Sequence, residues 1–383
     1  MSRPFVAHWG ILGCGWMSSM FVKDLCVASS TRQAGDVGHA IAAVGSRAKE
    51  KAEEFIQTNC PHGAAAQIDG TVAWQPKPYG SYKHVVEDSN VNIVYVGTMN
   101  IAHFDDAKLA LEAGKHCLLE KPATLNAAEW RVLAELAKRK GVFLMEAVWT
   151  RFNPVLIAVQ QAVHSGVIGE IRCLYSDLSM RSLDTNPPNH RTLIPELAGG
   201  ALLDLGPYPL VWALMIQYHH PANRLARPSK VGSTMLLRKG VDIATSFTLT
   251  FENLGAVAYC TANLVSATDE TCGTRIVGSK GEIIVTGITS RPDGYVVKRY
   301  ANPNSAALHA AEDRFLPDEK HSFAFEGVGW NWEADAVARC LRDGLLECPR
   351  MPHAETEMTM EMFDQIRVEG GYTYLPGLEK VQL

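Results

Sequence analysis

Two periodicities divide the chain. From residue 5 to about 145, short apolar runs alternate with stretches whose apolar positions recur every three to four residues. From about 230 onward, apolar and polar residues alternate singly. The first pattern predicts buried strands separated by amphipathic helices, the second half-buried antiparallel strands. The early runs are Phe5 to Leu12, His39 to Val44, Val91 to Gly97, Cys117 to Glu120 and Val142 to Met145. Phe21, Leu25 and Ala28 mark the first helix; further helices are expected over 47–58, 81–88, Phe104 to Ala113 and 126–140. Strands alternating with helices in this way indicate a doubly wound parallel sheet. Residues 59–80, with Pro61, Pro76, Pro78 and several glycines, read as an irregular connection.

The second half opens with a helix over 155–165, a strand over 170–179 and a polar loop over 180–195. Gly199-Gly200 and a helix over 201–217 come next. Ala244 to Phe251 and Ala256 to Asn263 flank a turn at Asn253-Leu254-Gly255, and Thr274 to Val277 and Glu282 to Val285 flank Gly278-Ser279-Lys280-Gly281. Both are hairpin patterns. Helices at about 331–344 and 355–370 close this half. The fold class expected is α/β: a Rossmann-type parallel sheet in residues 1–150, then an α/β domain with a large open, mainly antiparallel sheet in 151–383. Such a sheet leaves one face free for a partner, so a homodimer through the C-terminal sheet is expected.

Composition narrows the function classes. A length of 383 residues points to two domains. With 47% hydrophobic and 20% charged residues the chain has an ordinary globular make-up. A net charge of −5 without a basic cluster argues against nucleic acid, and no apolar stretch is expected to reach the length of a membrane span. The nine cysteines are scattered, with no Cys-x-x-Cys or Cys/His cluster. This pattern fits reduced thiols and excludes a disulfide framework or zinc site, so no metal is expected. The first strand begins by about residue 5, leaving no room for a signal peptide, and the protein is expected to be cytoplasmic.

Candidate chemistry lies at the carboxyl ends of the early strands, where open α/β sheets bind ligands. Gly13-Cys14-Gly15-Trp16-Met17-Ser18 joins the first strand to the first helix. A glycine turn there lets backbone N–H groups approach a pyrophosphate, helped by the helix dipole. Counting about 20 residues on from the glycines reaches Asp36, but Asp36 precedes the second strand. That strand runs out into Gly45-Ser46-Arg47, a hydroxyl and a guanidinium suited to phosphate. NADP is therefore expected in preference to NAD, although Arg47 equally reads as the first charge of the helix 47–58. Thr98-Met99-Asn100 ends a strand, and His103 opens the next helix as either a cap or a cofactor contact. Glu120-Lys121-Pro122 places a lysine at a strand end, where a solvated surface lysine is the other reading. Asp204 and Tyr208 stand at i and i+4, one helical face. Gly206 and Pro207 disturb a regular helix there unless they lie in a first turn. A capping Asp and a half-buried Tyr fit the same spacing.

These motifs, in order, resemble the Gfo/Idh/MocA oxidoreductase family. The marks are Gly13-x-Gly15, Thr98-x-Asn100-x-x-His103, Ala110-x-x-Ala113-Gly114-Lys115-His116, Glu120-Lys121-Pro122, Asp204-x-Gly206-x-Tyr208 and Met351-Pro352-x-x-Glu355. Met145-Glu146-Ala147-x-Trp149-Thr150-Arg151-Phe152 and the run Leu197 to Pro209 most resemble the branch holding NADP-dependent D-xylose 1-dehydrogenases and dimeric dihydrodiol dehydrogenases. Met99 for Pro, Ser18 for Gly or Ala, and Pro207 inside the Asp–Tyr motif depart from the family pattern.

The resemblance implies NADP-linked oxidation of an aldopyranose at C1, or of a trans-dihydrodiol, with Lys121, Asp204 and Tyr208 as the catalytic group. Tyrosine titrates near 10 when unperturbed, and a lysine cation favours phenolate. Tyr208 is then the base, Lys121 its electrostatic partner and Asp204 the orienting group. Cofactor contacts fall to Gly13, Cys14, Gly15, Trp16, Met17, Ser46, Arg47, Thr98, Asn100, His103, Glu120 and Lys121. Trp149, Arg151, Phe152 and His190 are candidate substrate neighbours. Other readings are an NAD-assisted glycoside hydrolase and an NADP-binding regulator without turnover. A cis Lys121–Pro122 bond is expected.

Overall fold

The computed structural model describes residues 4–60, 75–303 and 315–382. The chain forms two compact units. One comprises Met1–Trp149, Phe325–Glu361 and Pro376–Leu383; the other comprises Thr150–Ala324 and Met362–Leu375.

The first unit is built on six strands: β1 (Phe5–Leu12), β2 (Val37–Gly45), β3 (Lys77–Tyr79), β4 (Ile93–Val96), β5 (His116–Glu120) and β6 (Leu144–Ala147). They lie in the order β3-β2-β1-β4-β5-β6, every pair parallel. Helices on both faces bury the sheet, which explains continuous apolar runs in place of alternation: all nine residues of β2 and all four of β4 are buried. Local signals set the helix ends. Asn126 accepts from the Glu129 N–H to cap Ala127–Lys140, and Gly141 takes the left-handed conformation (φ 64°) that closes it. β3 falls inside the span 59–80 that reads as irregular. Pro78 is tolerated because, among the described residues, β3 is an edge strand paired only with β2. Residues 61–74 of that span lie outside the described residues.

The helix Trp330–Arg342 belongs to this unit, not to the C-terminal half whose end it occupies in sequence. It packs on β1, β2 and the helix Trp16–Leu25. Polar groups hold it there. The buried Asp24 carboxylate accepts the N–H groups of Val328 (2.8 Å), Gly329 (2.6 Å) and Trp330 (2.9 Å), capping the helix start. Asp335, also buried, receives Arg32 at 2.6 Å and lies 2.9 Å from His39. Asp36 pairs with Arg339 and Arg342, so the residue reached by the twenty-residue count serves this helix.

The second unit carries eight strands: β7 (Ile171–Ser179), β8 (Lys230–Arg238), β9 (Val241–Phe251), β10 (Ala256–Asn263), β11 (Thr274–Gly278), β12 (Gly281–Ile288), β13 (Arg291–Arg299) and β14 (Glu319–Ser322). The order is β14-β13-β12-β11-β7-β10-β9-β8. Only β7 and β10 pair in parallel, at the centre. Both expected hairpins form, β9 with β10 and β11 with β12. The helices Pro154–His164, Ala201–Leu205 and Pro207–Ala213 pack against this sheet. On the face away from them, Tyr175 of β7 and Tyr259 of β10 are exposed and stack, with ring centroids 5.0 Å apart.

One composition-based expectation is corrected here. Pro195–Tyr218 is long and apolar enough to cross a membrane by length and composition, yet 94% of its apolar window is buried within the protein. A helix hydrophobic all round is a core helix when protein surrounds it. The polar loop 180–195 is also more ordered than its pattern indicates: it holds a short helix, Ser182–Thr185, and a 3₁₀ turn, Arg191–Leu193.

Candidate active site

In the first unit the candidate residues gather at the carboxyl ends of β1, β2, β4 and β5. Gly13 adopts φ 94°, and a Cβ there would sit 3.0 Å from the Gly97 carbonyl oxygen and 3.2 Å from Thr98 Cγ2, so glycine is required twice over. Gly15 caps the helix Trp16–Leu25, and no described residue comes within 4 Å of a Cβ placed on it. Among the described residues the helix has no side-chain cap, and its first turn carries no acid. N–H groups left so, on the positive end of a helix dipole, suit a pyrophosphate. Ser18, the oversized third position, is fully buried and points at Gly97, where a Cβ would lie 2.3 Å from its hydroxyl oxygen. The larger residue on the helix is matched by a glycine on the strand.

Cys14 is half-buried, with its Sγ 3.7 Å from the Gly45 carbonyl; burial pushes its thiol up. Trp16 is 68% exposed beside the turn, edge-on to Trp330, and Met17 is partly buried. Ser46 donates its N–H to the Tyr79 carbonyl (3.1 Å), which fixes the backbone after β2. Arg47 is exposed and makes no ion pair or hydrogen bond with another described residue. An exposed guanidinium at the end of β2 that pairs with no carboxylate among the described residues fits a phosphate group.

Two loops meet over β4 and β5. The His103 ring lies between them, Nδ1 2.7 Å from the Pro122 carbonyl and Nε2 3.2 Å from that of Thr98, with the residue 1% exposed. His103 therefore braces the turn that carries Lys121. Thr98 and Asn100 are partly exposed at the same edge. The Lys121–Pro122 bond is cis, as expected. Glu120 is buried, accepting from Tyr95 OH at 2.7 Å and from the Lys121 N–H at 3.1 Å. Lys121 itself is partly exposed. Deeper still, burial, with Glu120 and Glu146 close by, pushes the Glu333 carboxyl well above the usual range. Trp149, 4% exposed, stacks on Trp330 at 4.7 Å.

In the second unit, Asp204 lies near the end of the helix Ala201–Leu205 and Tyr208 in the first turn of Pro207–Ala213. Gly206 between them keeps helical angles (φ −57°, ψ −30°), and a Cβ there would lie 2.3 Å from the Leu202 carbonyl oxygen. Pro207 sits at the start of the second helix, where its missing N–H is harmless. The two helices run on with helical geometry, so Asp204 and Tyr208 share a face. Tyr208 is 6% exposed. Asp204 accepts from Arg191 Nη2 at 2.8 Å, a partner that sequence reasoning missed because it comes from the 180–195 loop. His190 caps the turn that delivers Arg191, accepting from the Thr192 N–H, and burial lowers its pKa. Arg151 is 1% exposed and Phe152 5%. No group of His, Cys, Asp and Glu among the described residues could hold a metal.

Comparison with known proteins bears on the fold and the family. Residues 7–148 match the family model described as an oxidoreductase family with an NAD-binding Rossmann fold, and residues 156–284 match the GFO/IDH/MocA C-terminal domain. A D-xylose 1-dehydrogenase (NADP(+)) from Hypocrea jecorina is 40% identical, covering 97% of this chain and 94% of that one. A trans-1,2-dihydrobenzene-1,2-diol dehydrogenase from Danio rerio is 30% identical, covering 96% and 98%. Among solved structures, an NAD-binding oxidoreductase from Klebsiella pneumoniae superposes with TM-score 0.75 at 19% identity, covering 95% of this chain and 97% of that one. The aldose–aldose oxidoreductase of Caulobacter crescentus superposes with TM-score 0.72 at 21% identity, with the same coverage. At those identities the structures speak for the fold alone. Two consecutive domain models and full-length relatives at 30–40% identity establish that the chain belongs to the Gfo/Idh/MocA family of oxidoreductases.

Proposed function

We propose that the protein is an NADP-dependent dehydrogenase that oxidises an aldopyranose of the D-xylose type at C1 to its lactone. The observation that carries the cofactor half of this reading is the exposed Arg47 guanidinium following β2 beside Ser46, paired with no carboxylate among the described residues. The name of the Hypocrea jecorina relative supports both halves. Gly13, Cys14, Gly15, Trp16 and Met17 would hold the pyrophosphate, and Ser46 and Arg47 the 2′-phosphate. Thr98, Asn100, His103 and Glu120 would shape the nicotinamide end. When bound, the nicotinamide supplies the hydride acceptor.

The remaining work falls to this chain's side chains. Tyr208 takes the hydroxyl proton from the sugar as hydride leaves C1. The Lys121 ammonium favours the phenolate form of that tyrosine and anchors the sugar. Asp204 orients the reacting hydroxyl. Trp149, Arg151, Phe152 and His190 are assigned to the substrate pocket. Dimerisation through the outer face of the C-terminal sheet accounts for the exposed Tyr175–Tyr259 stack. All nine cysteines are free thiols, which supports a reducing, cytoplasmic setting.

A second reading, oxidation of a trans-dihydrodiol, is favoured by relatives such as the Danio rerio enzyme. One experiment separates them: absorbance at 340 nm followed across pentoses, hexoses and cyclic diols, with NADP and with NAD. Net reduction of NADP by free D-xylose is expected. Reduction only with diols would replace the substrate, and release of sugar from glycosides without net reduction would replace the reaction. Tight NADP binding with no turnover on any substrate would leave a regulator.

A further inference from the structure

The segment between β7 and the helix bearing Asp204 has no part in the scheme above beyond His190, yet its backbone is locked against that helix. A Cβ on Gly199 would come within 2.7 Å of both the Arg191 and the Thr192 carbonyl oxygens. Gly200 (φ 125°) donates its N–H to the Thr192 carbonyl at 2.9 Å, and a Cβ there would sit 1.9 Å from Asp242 Oδ1. Only a Gly-Gly pair lets the backbone of residues 191–192 and the Asp242 carboxylate close on the same two residues. Asp242 then completes the lock, its Oδ2 accepting the Leu202 N–H at 2.7 Å and the Thr245 hydroxyl at 2.7 Å.

What the lock delivers is one guanidinium. Arg191 comes directly after the His190 cap, in a 3₁₀ turn whose register is set by the Gly200–Thr192 bond. Its Nη2 donates to Asp204 Oδ1 at 2.8 Å, and the Asp204 side chain is only 13% exposed against 43% for Arg191. An exposed arginine reaching a shielded carboxylate restrains the rotation of that carboxylate through Oδ1. A surface ion pair formed for stability alone contributes little, and it needs no such cramped backbone to place it.

We propose that Arg191 is the positioning residue for Asp204: the Gly199-Gly200 lock sets the guanidinium on Oδ1 and so holds the carboxylate for its work on the sugar hydroxyl. This rests on the role given to Asp204 above. In this scheme Arg191 acts on the reaction through that carboxylate.

The test measures kcat and KM for D-xylose with NADP in Arg191→Met, Arg191→Lys, Asp204→Asn and the double variant Arg191→Met/Asp204→Asn, alongside NADPH binding by fluorescence and thermal midpoints. Loss of a charge-assisted hydrogen bond predicts a fall in kcat/KM of about 10- to 100-fold in Arg191→Met. Arg191→Lys should recover part of it, because an ammonium can still donate to Oδ1. The double variant should be no worse than Asp204→Asn alone, since both remove the same interaction. NADPH binding should be unchanged throughout. Wild-type kcat/KM in Arg191→Met with loss in Asp204→Asn would overturn the proposal and leave the proposed function standing. Multiplicative losses in the double variant, or a lowered thermal midpoint with unchanged kcat/KM, would overturn it too. Wild-type kcat/KM in Asp204→Asn would remove the role of Asp204 itself, and this inference with it.

Discussion

At the residue scale, Lys121 illustrates how far a side chain's meaning depends on its neighbours. Its position is set by an apolar strand ending in Glu-Lys-Pro, which is legible in sequence. Its bracing is not. Glu120 turns inward to Tyr95 OH, and His103 holds the Pro122 carbonyl, so the lysine sits on a backbone pinned from two sides. Replacing Lys121 with Met should lower kcat by roughly 10²–10⁴-fold while NADPH still binds, because no other side chain supplies the cation for Tyr208 in this scheme. Stopped-flow turnover and NADPH fluorescence titration check the two halves separately; undiminished kcat would refute the assignment. Arg191 lay beyond sequence reasoning for a physical reason. The loop carrying it shows no periodicity, and its destination is set by two glycines eight residues downstream.

At the element scale, the helix bearing Asp204 begins over Asp242, a carboxylate buried in the second unit. Burial, opposed by its bonds from Thr245 and Leu202, raises its pKa from 3.8 to about 6. The sign comes from linkage. Between the unfolded value and the folded one, the folded state binds the extra proton, so this group's favourable contribution is complete below pH 3.8 and lost as pH rises through about 6. Asp242→Asn removes that titration. Unfolding free energy from urea melts should therefore shift in favour of the variant, relative to wild type, between about pH 4 and pH 7. A difference independent of pH would show that Asp242 does not titrate in this window. The same element shows what hydropathy alone misjudges: Pro195–Tyr218 has the length and apolarity of a membrane span, and only its surroundings identify it as core.

At the scale of the whole molecule, the outer face of the C-terminal sheet presents a ladder in register. Tyr175 lies opposite Tyr259 on one side and Arg275 on the other. Stacked aromatic rings left in water at the centre of an eight-stranded sheet form a ready interface core. Sedimentation velocity should show wild type at twice the 41.9 kDa chain mass. Tyr175→Glu/Tyr259→Glu places like charges opposite each other and should shift it to the single chain with an unchanged circular dichroism spectrum. A variant that still sediments as a dimer, or a wild type that sediments as a monomer, would exclude this face.

The residue order by itself determined the two kinds of sheet, because a strand buried on both faces and one buried on a single face carry different hydrophobic periods, and period is a local property. It also determined the glycine turn at Gly13, the hydroxyl and guanidinium of Ser46 and Arg47 at the end of β2, and the shared face of Asp204 and Tyr208, each a matter of spacing along one element. Tertiary structure alone decided that β3 fills an edge within a proline-rich span and that Trp330–Arg342 covers the first sheet. It also decided that Asp36 serves Arg339 and that Arg191 serves Asp204. These are pairings between residues distant in sequence or set in aperiodic loops. Their partners are chosen by close approach of backbone and burial of charge, and neither quantity exists until the chain has folded.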